Sequence, residues 1–327
     1  MKRSFHFCLR LLALSTLLFQ TALAWYTTPP TPTILDHAGF RTTVAAWGAI
    51  GGYPGLDLPS FEWPAGSGRN YLGECGFLLN GATKNHEYIA STTNELMGVV
   101  QPDGTQKPVS LRRAPLILND TLTSFMLEQT ETILNDQSHG STFLCTLRTS
   151  TTDAPLFTGC LFLRLTVVNC GTENFSPLSL GLYLDADIGE SHGFTDAGRL
   201  DDAVGAFPGL LYTYDVDGYD QAWGSTVTPG VIGSFIANPF TESQSRIGEF
   251  GNFGHWSSRD IFNGDMENLP LTKQNYDCVY YQYAMVPQLP PGQSTQLDFV
   301  ILVAPSPEAL QAKAVAARII ASTILNQ

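Results

Sequence analysis

Apolar residues recur at every second position in two runs near the middle of the chain, "CLFLRLTVV" over residues 160–168 and "LSLGLYLD" over residues 178–185. That period marks strands with one face in a core. In the second run Leu178, Leu180, Leu182 and Leu184 share one face, leaving Ser179, Gly181, Tyr183 and Asp185 on the other. The intervening "NCGTENFSP" has the Asn, Gly and Pro content of a connecting loop. The two runs are therefore expected to be adjacent antiparallel strands. Further strands are predicted over residues 42–50, 76–80, 86–92, 124–134, 142–149, 278–286 and 296–304. Many short strands separated by turn signals predict a mainly β chain, an antiparallel β-sandwich or a supersandwich-like relative of it, rather than a βαβ fold.

One segment reads as a helix. Ser306 suits an N-cap and Pro307 the first turn, and Leu310, Ala314, Ala317, Ile320 and Ile324 then fall on one face. The helix is expected to pack on the sandwich. The predicted organisation is a signal segment (1–24), an extended segment (25–40), a β-sandwich domain (41–304) and a C-terminal helix (305–327). The 30 Gly and 20 Pro are spread along the chain rather than gathered in a linker, which favours one loop-rich domain.

The start of the chain sets the expected compartment. Lys2, Arg3 and Arg10 precede an apolar run over residues 11–19, and Ala22-Leu23-Ala24 offers a small-x-small cleavage site. This is the pattern of a secretory signal, and it predicts a secreted or periplasmic protein. No later stretch approaches 18 uninterrupted apolar residues, so no membrane span is expected.

The formal net charge is -13, and removing the signal takes away three bases and no acids. Such a chain lacks the Lys and Arg needed to neutralise phosphate, which argues against nucleic acid and anionic membranes as partners. Calcium, a neutral glycan or a cell-surface component fits the charge better. Five cysteines, Cys75, Cys145, Cys160, Cys170 and Cys278, follow the signal, without a CxxC pair that would indicate zinc. A nine-residue strand would hold Cys160 and Cys170 about 30 Å apart, so they are poor mutual partners. At least one thiol is expected free or buried as a small hydrophobe.

Three segments occur together in an order that resembles a known family. They are "FEWPAGSGRNYLGECGFLLNGA" (61–82), "LYLDADIG" followed by "LDDAVG" and "YDVDGYD", and "LPPGQSTQLDFVILVAPSPEALQAKAVAA" (289–317). The chain is similar over residues 35–320 to the uncharacterised N-terminal β-sandwich region of large secreted bacterial proteins, often those exported by the type IX route. The resemblance implies a secreted, non-enzymatic module and supplies no catalytic residues. It also leads one to expect a sorting domain, and this sequence has none after the helix.

Candidate chemistry is concentrated in residues 182–220, where nine carboxylates stand against one strong base, Arg199. Asp187 should continue on the same side of the strand as Asp185. Asp201 and Asp202 are adjacent, and "DVDGYD" sets Asp215, Asp217 and Asp220 around Gly218. Calcium takes six to eight oxygen ligands, which these seven aspartates can supply. The closing Glu of an EF-hand is missing, and Asp-Gly is also ordinary turn chemistry, so a solvated acidic loop is the alternative.

A carbohydrate-active enzyme is the runner-up, pairing Asp185 or Asp187 with Glu190 or Asp202, with His139 or His192 as proton carriers. Ser141 lacks a nucleophile elbow. For ligand binding the candidates are Tyr219, Trp223, His255 and Trp256, beside or near the acidic stretch, since sugar rings stack on flat aromatic faces. The tyrosines of "YYQYAM" read as strand packing. The balance favours a secreted structural or binding module over an enzyme.

Overall fold

The computed structural model describes residues 32–37, 39–45, 48–51, 58–83, 87–92, 98–100, 106–108, 116–119, 122–129, 141–188, 201–218, 227–238, 243–249 and 268–327. In chain order the strands of the first half are β1 (Thr33–His37), β2 (Phe40–Val44), β3 (Ile50–Gly51), β4 (Glu74–Ala82), β5 (Glu87–Ser91), β6 (Gly98–Val100), β7 (Gln106–Pro108), β8 (Leu116–Asn119) and β9 (Leu122–Gln129). They continue as β10 (Ser141–Ser150), β11 (Cys160–Asn169), β12 (Leu178–Asp185), β13 (Asp202–Phe207), β14 (Leu210–Asp215), β15 (Val231–Ile236), β16 (Ser243–Glu249), β17 (Cys278–Val286) and β18 (Ser294–Ala304). The single α-helix among the described residues, α1, spans Pro307–Leu325.

The strands form two eight-stranded antiparallel sheets and a small β6–β7 ribbon. The first sheet runs β1-β2-β3-β4-β12-β17-β16, with β5 also on β4, and the second runs β13-β14-β15-β18-β11-β10-β9-β8. The chain is thus a mainly β sandwich with a C-terminal helix. Leu178, Leu180, Leu182 and Leu184 of β12 face the shared core, where Leu161, Leu163, Leu165 and Val167 of β11 meet them. Full burial of each such side chain contributes about 1.5–3 kcal/mol.

That packing overturns one expectation from the sequence. Strands β11 and β12 are not neighbours in a sheet: β11 lies between β10 and β18, and β12 between β4 and β17. Their apolar faces meet across the core instead. The loop between them crosses from one sheet to the other, pinned where Phe175 and Leu289 exchange backbone hydrogen bonds of 3.2 and 2.8 Å.

The expected strand over residues 42–50 is also divided. Strand β2 ends at Val44, and a turn closed by Gly48 N–H donating to Ala45 C=O (2.9 Å) returns the chain as β3. Gly48 has φ 93°, a conformation that glycine adopts without strain. Residues 130–134 of another expected strand lie outside the described residues, and β9 is described as far as Gln129.

Helix α1 covers the outer face of the second sheet. Ser306 caps it, its Oγ accepting from Ala309 N–H at 3.3 Å. The fully buried stripe is Leu310, Ala314, Ala317, Ala321 and Leu325, packed on Phe162, Val300 and Leu302. Ile320 and Ile324, expected on that same face, lie at its margin and are half-buried. The alanines allow close approach to the sheet, and the helix end is held by arginines. Arg148 and Arg164 each donate to Leu325 C=O (3.1 and 3.0 Å), and Arg164 forks onto Asp298 with two 2.8 Å contacts. Lys313 Nζ ties the middle of the helix to Thr158 C=O and Val303 C=O.

Cys75, Cys145, Cys160, Cys170 and Cys278 are all free thiols, four buried and Cys170 exposed. Burial pushes the Cys160 thiol up to about 12, with Lys313 opposing the shift. No helix among the described residues is long and apolar enough to cross a membrane.

Candidate functional site

The acidic stretch is not one loop. Residues 202–215 form the β13–β14 hairpin, in which Asp202 stands directly opposite Asp215. Val216 N–H donates to Asp201 C=O at 2.9 Å and closes the base of the hairpin. The carboxylates therefore gather at the hairpin's open end, away from the turn between Phe207 and Leu210.

Strand β12 delivers Asp185 and then Asp187 to the same end of the sandwich. Its pairing with β17 sets Asp185 against Val279, and continuing that antiparallel register brings Asp187 level with Asp277. Asp185, Asp187 and Asp277 each place an oxygen within 4.8 Å of the others, and Asp201, Asp215 and Asp217 form a second group of the same kind.

Asp202 links the two groups. It is fully buried, and its Oδ2 accepts from Ile188 N–H at 3.1 Å, tying the hairpin of one sheet to the extension of β12 from the other. Its Oδ1 is buried and accepts no hydrogen bond among the described residues. Burial holds the Asp202 carboxyl well above the usual carboxylate range, and the charges of Asp187, Asp201 and Asp215 add to the shift against the opposing Ile188 N–H. Asp215 is pushed up to about 6, first by burial, then by Asp201 and Asp217, while Gly218 N–H opposes. Among the described residues no Lys or Arg is among the charges acting on either group.

Two glycines border this crowding. A Cβ at Gly73 would collide with Asp187 Oδ2 and lie 3.1 Å from Asp185 Oδ2, so a side chain there would displace these carboxylates. Gly73 N–H also donates to Asp185 C=O at 3.1 Å. Gly218, at φ 70°, donates its N–H to Asp215 Oδ1 at 2.6 Å.

The structure thus brings together Asp185, Asp187, Asp201, Asp202, Asp215 and Asp217. Asp220, Tyr219, Trp223, His255 and Trp256 lie outside the described residues, as do Glu190, His139 and His192. Asp277 is a member of the site that sequence reasoning misses. It is a single acid ahead of a strand, and only the long-range pairing of β12 with β17 shows where it goes. The donor set is all oxygen, carboxylates with carbonyls close by, which suits a hard divalent cation rather than a thiophilic metal. Tyr280, Tyr281 and Tyr283 of "YYQYAM" are buried within the sandwich.

No protein-family model and no curated protein matches the sequence. Solved structures similar to the chain include a galactose mutarotase related enzyme from Lactobacillus acidophilus, at 11% identity and TM-score 0.37, covering 85% of this chain and 99% of that one. A bacterial glucoamylase complexed with acarbose is similar at 10% identity and TM-score 0.42, covering 92% of this chain and 37% of the glucoamylase. A GalM/aldose epimerase homologue from C. elegans is similar at 10% identity and TM-score 0.37, covering 84% of this chain and 100% of its own. No residue role is carried over from these proteins.

Proposed function

We propose that the chain is an extracytoplasmic binding module, exported by its N-terminal signal, whose acidic end takes up calcium as a structural brace between the two sheets. The observation that carries this reading is Asp202, a fully buried carboxylate with an unsatisfied oxygen among carboxylates and no basic counter-charge among the described residues. Asp185, Asp187 and Asp277 would hold the ion on the β12–β17 side, and Asp201, Asp215 and Asp217 on the hairpin side. A bound divalent cation offsets the mutual repulsion that otherwise opposes closing this end.

The test is a thermal melt of the mature protein in chelator and again in millimolar calcium. Calcium is expected to raise the melting temperature, and the rise is expected to vanish in Asp187→Asn. Equal melts in both conditions refute the brace.

A second reading is favoured by the elevated Asp215 carboxyl, which at about 6 sits where a general acid works. On that reading the chain hydrolyses or isomerises a glycan with Asp215 as proton donor. Turnover of a polysaccharide panel, lost in Asp215→Asn but indifferent to chelator, would replace the first reading with this one.

A further inference from the structure

We propose that the outer face of the β13–β14 hairpin is a stacking platform for a neutral oligosaccharide, formed by Phe207, Tyr212 and Tyr214. The inference rests on reading the chain as a binding module and names its ligand class; it does not depend on the cation.

The platform begins in the sequence. Across the hairpin Tyr212 pairs with Gly205 and Tyr214 with Ala203, so each large ring faces a residue with little or no side chain. A Cβ at Gly205 would collide with the Cζ and hydroxyl oxygen of Tyr212, which places the end of the ring directly over the edge strand. The rings follow one another in a row. Phe207 and Tyr212 are stacked on one another, 5.4 Å apart and 23° from parallel, and Tyr214 follows Tyr212 at 6.0 Å, tilted by 42°. All three pack against the helix-side core yet remain half-exposed.

Hydrogen-bonding groups bound the row. At the turn, Arg318 donates to Gly209 C=O at 3.2 Å, and at the open end Gln274 Nε2 donates to the Tyr214 hydroxyl at 3.4 Å. Burial, then Tyr214 and Glu308, hold the Tyr212 hydroxyl above its ordinary value. Flat apolar faces bordered by a few polar groups match a pyranose chain, whose rings are apolar above and below and carry hydroxyls around the edge.

The charge of the molecule selects among ring-shaped ligands. With 30 acids against 17 bases, a polyanionic glycan or a nucleic acid is repelled. A small organic cation is better enclosed by converging rings, and these form a row instead. A neutral oligosaccharide remains.

The experiment is calorimetric titration of the mature protein, in calcium and in chelator, with hexasaccharides of the cellulose, xylan, chitin and starch types and with tetramethylammonium. At least one neutral hexasaccharide is expected to bind, with affinity at least tenfold lower in Tyr212→Leu and Phe207→Leu. Leucine keeps an apolar side chain at the position while removing the flat face. In the wild-type protein that sugar should also protect Tyr212 and Tyr214 from nitration, a readout that survives if a leucine variant fails to fold. The proposal is overturned if no neutral sugar binds at millimolar concentration, if the variants bind as well as wild type with no protection from nitration, or if only the organic cation binds. Sugar binding without any calcium-dependent melt would uphold the platform and remove the brace. A calcium-dependent melt without sugar binding would do the reverse.

Discussion

Asp298 and Asp202 are both buried carboxylates in strands of the same sheet, yet they meet opposite surroundings. Asp298 is gripped by the two-pronged contact of Arg164, which together with Arg148 also holds the last carbonyl of the helix. Asp202 has one backbone N–H and a ring of like charges. At the helix end the chain supplies its own counter-charge, and the fold there is complete. At the acidic end no basic side chain among the described residues faces Asp202, and on the function proposed above a cation or protons supply what is missing.

The strongest way to break this comparison is to make the two ends alike. Replacing Arg164 by Leu leaves Asp298 buried without its partner and should cost about 3–5 kcal/mol in denaturant unfolding, with or without calcium. A loss that calcium repairs would contradict the division of roles. Next in size is calcium itself. At free ion 100 times the dissociation constant it should add about 2.7 kcal/mol, seen as a rise of several degrees in melting temperature. Asp187→Asn should abolish that rise, while Arg164→Leu should retain it.

Protons offer a milder substitute for the ion. The folded-state pKa values of Asp202 and Asp215 are raised, so folding takes up protons, and the penalty present at high pH is relieved as pH falls through the folded values. In chelator the melting temperature should therefore rise as pH falls below the Asp215 value of about 6 toward the ordinary carboxylate value of 3.8. Calcium should flatten that slope, and a slope of opposite sign would show that the carboxylates are not crowded in solution. The smallest effect sharpens the contrast from the other side. Ser306→Ala removes the helix cap and should cost about 1 kcal/mol by chemical denaturation, equally in calcium and in chelator.

The sequence was informative where signals are local. The alternation in β12 marks its bounds from Leu178 to Asp185 and the face carrying its leucines, because a strand's period is written in consecutive residues. Ser306 as helix cap was legible for the same reason. The pairing of β12 was not, because proximity in sequence suggested β11 while the true neighbours, β4 and β17, lie far along the chain. The same distance hid Asp277. The hairpin over residues 202–215 was obscured by its acids, since aspartate at a strand end resembles aspartate in a solvated loop. Its β-branched and aromatic positions, Val204, Phe207, Tyr212, Thr213 and Tyr214, were the signal available.

The position of β18 has a consequence in time. It lies in the middle of the second sheet, between β15 and β11, yet it is the last strand in the chain, and α1 follows it. A ribosome therefore makes the sheet's outer members first and its central member nearly last. Until residues 294–304 emerge, β15 and β11 present two unpaired edges, the condition under which strands join the wrong chain. Truncations ending before that point should be held by chaperones or aggregate, because both halves of the sheet then lack the strand that joins them.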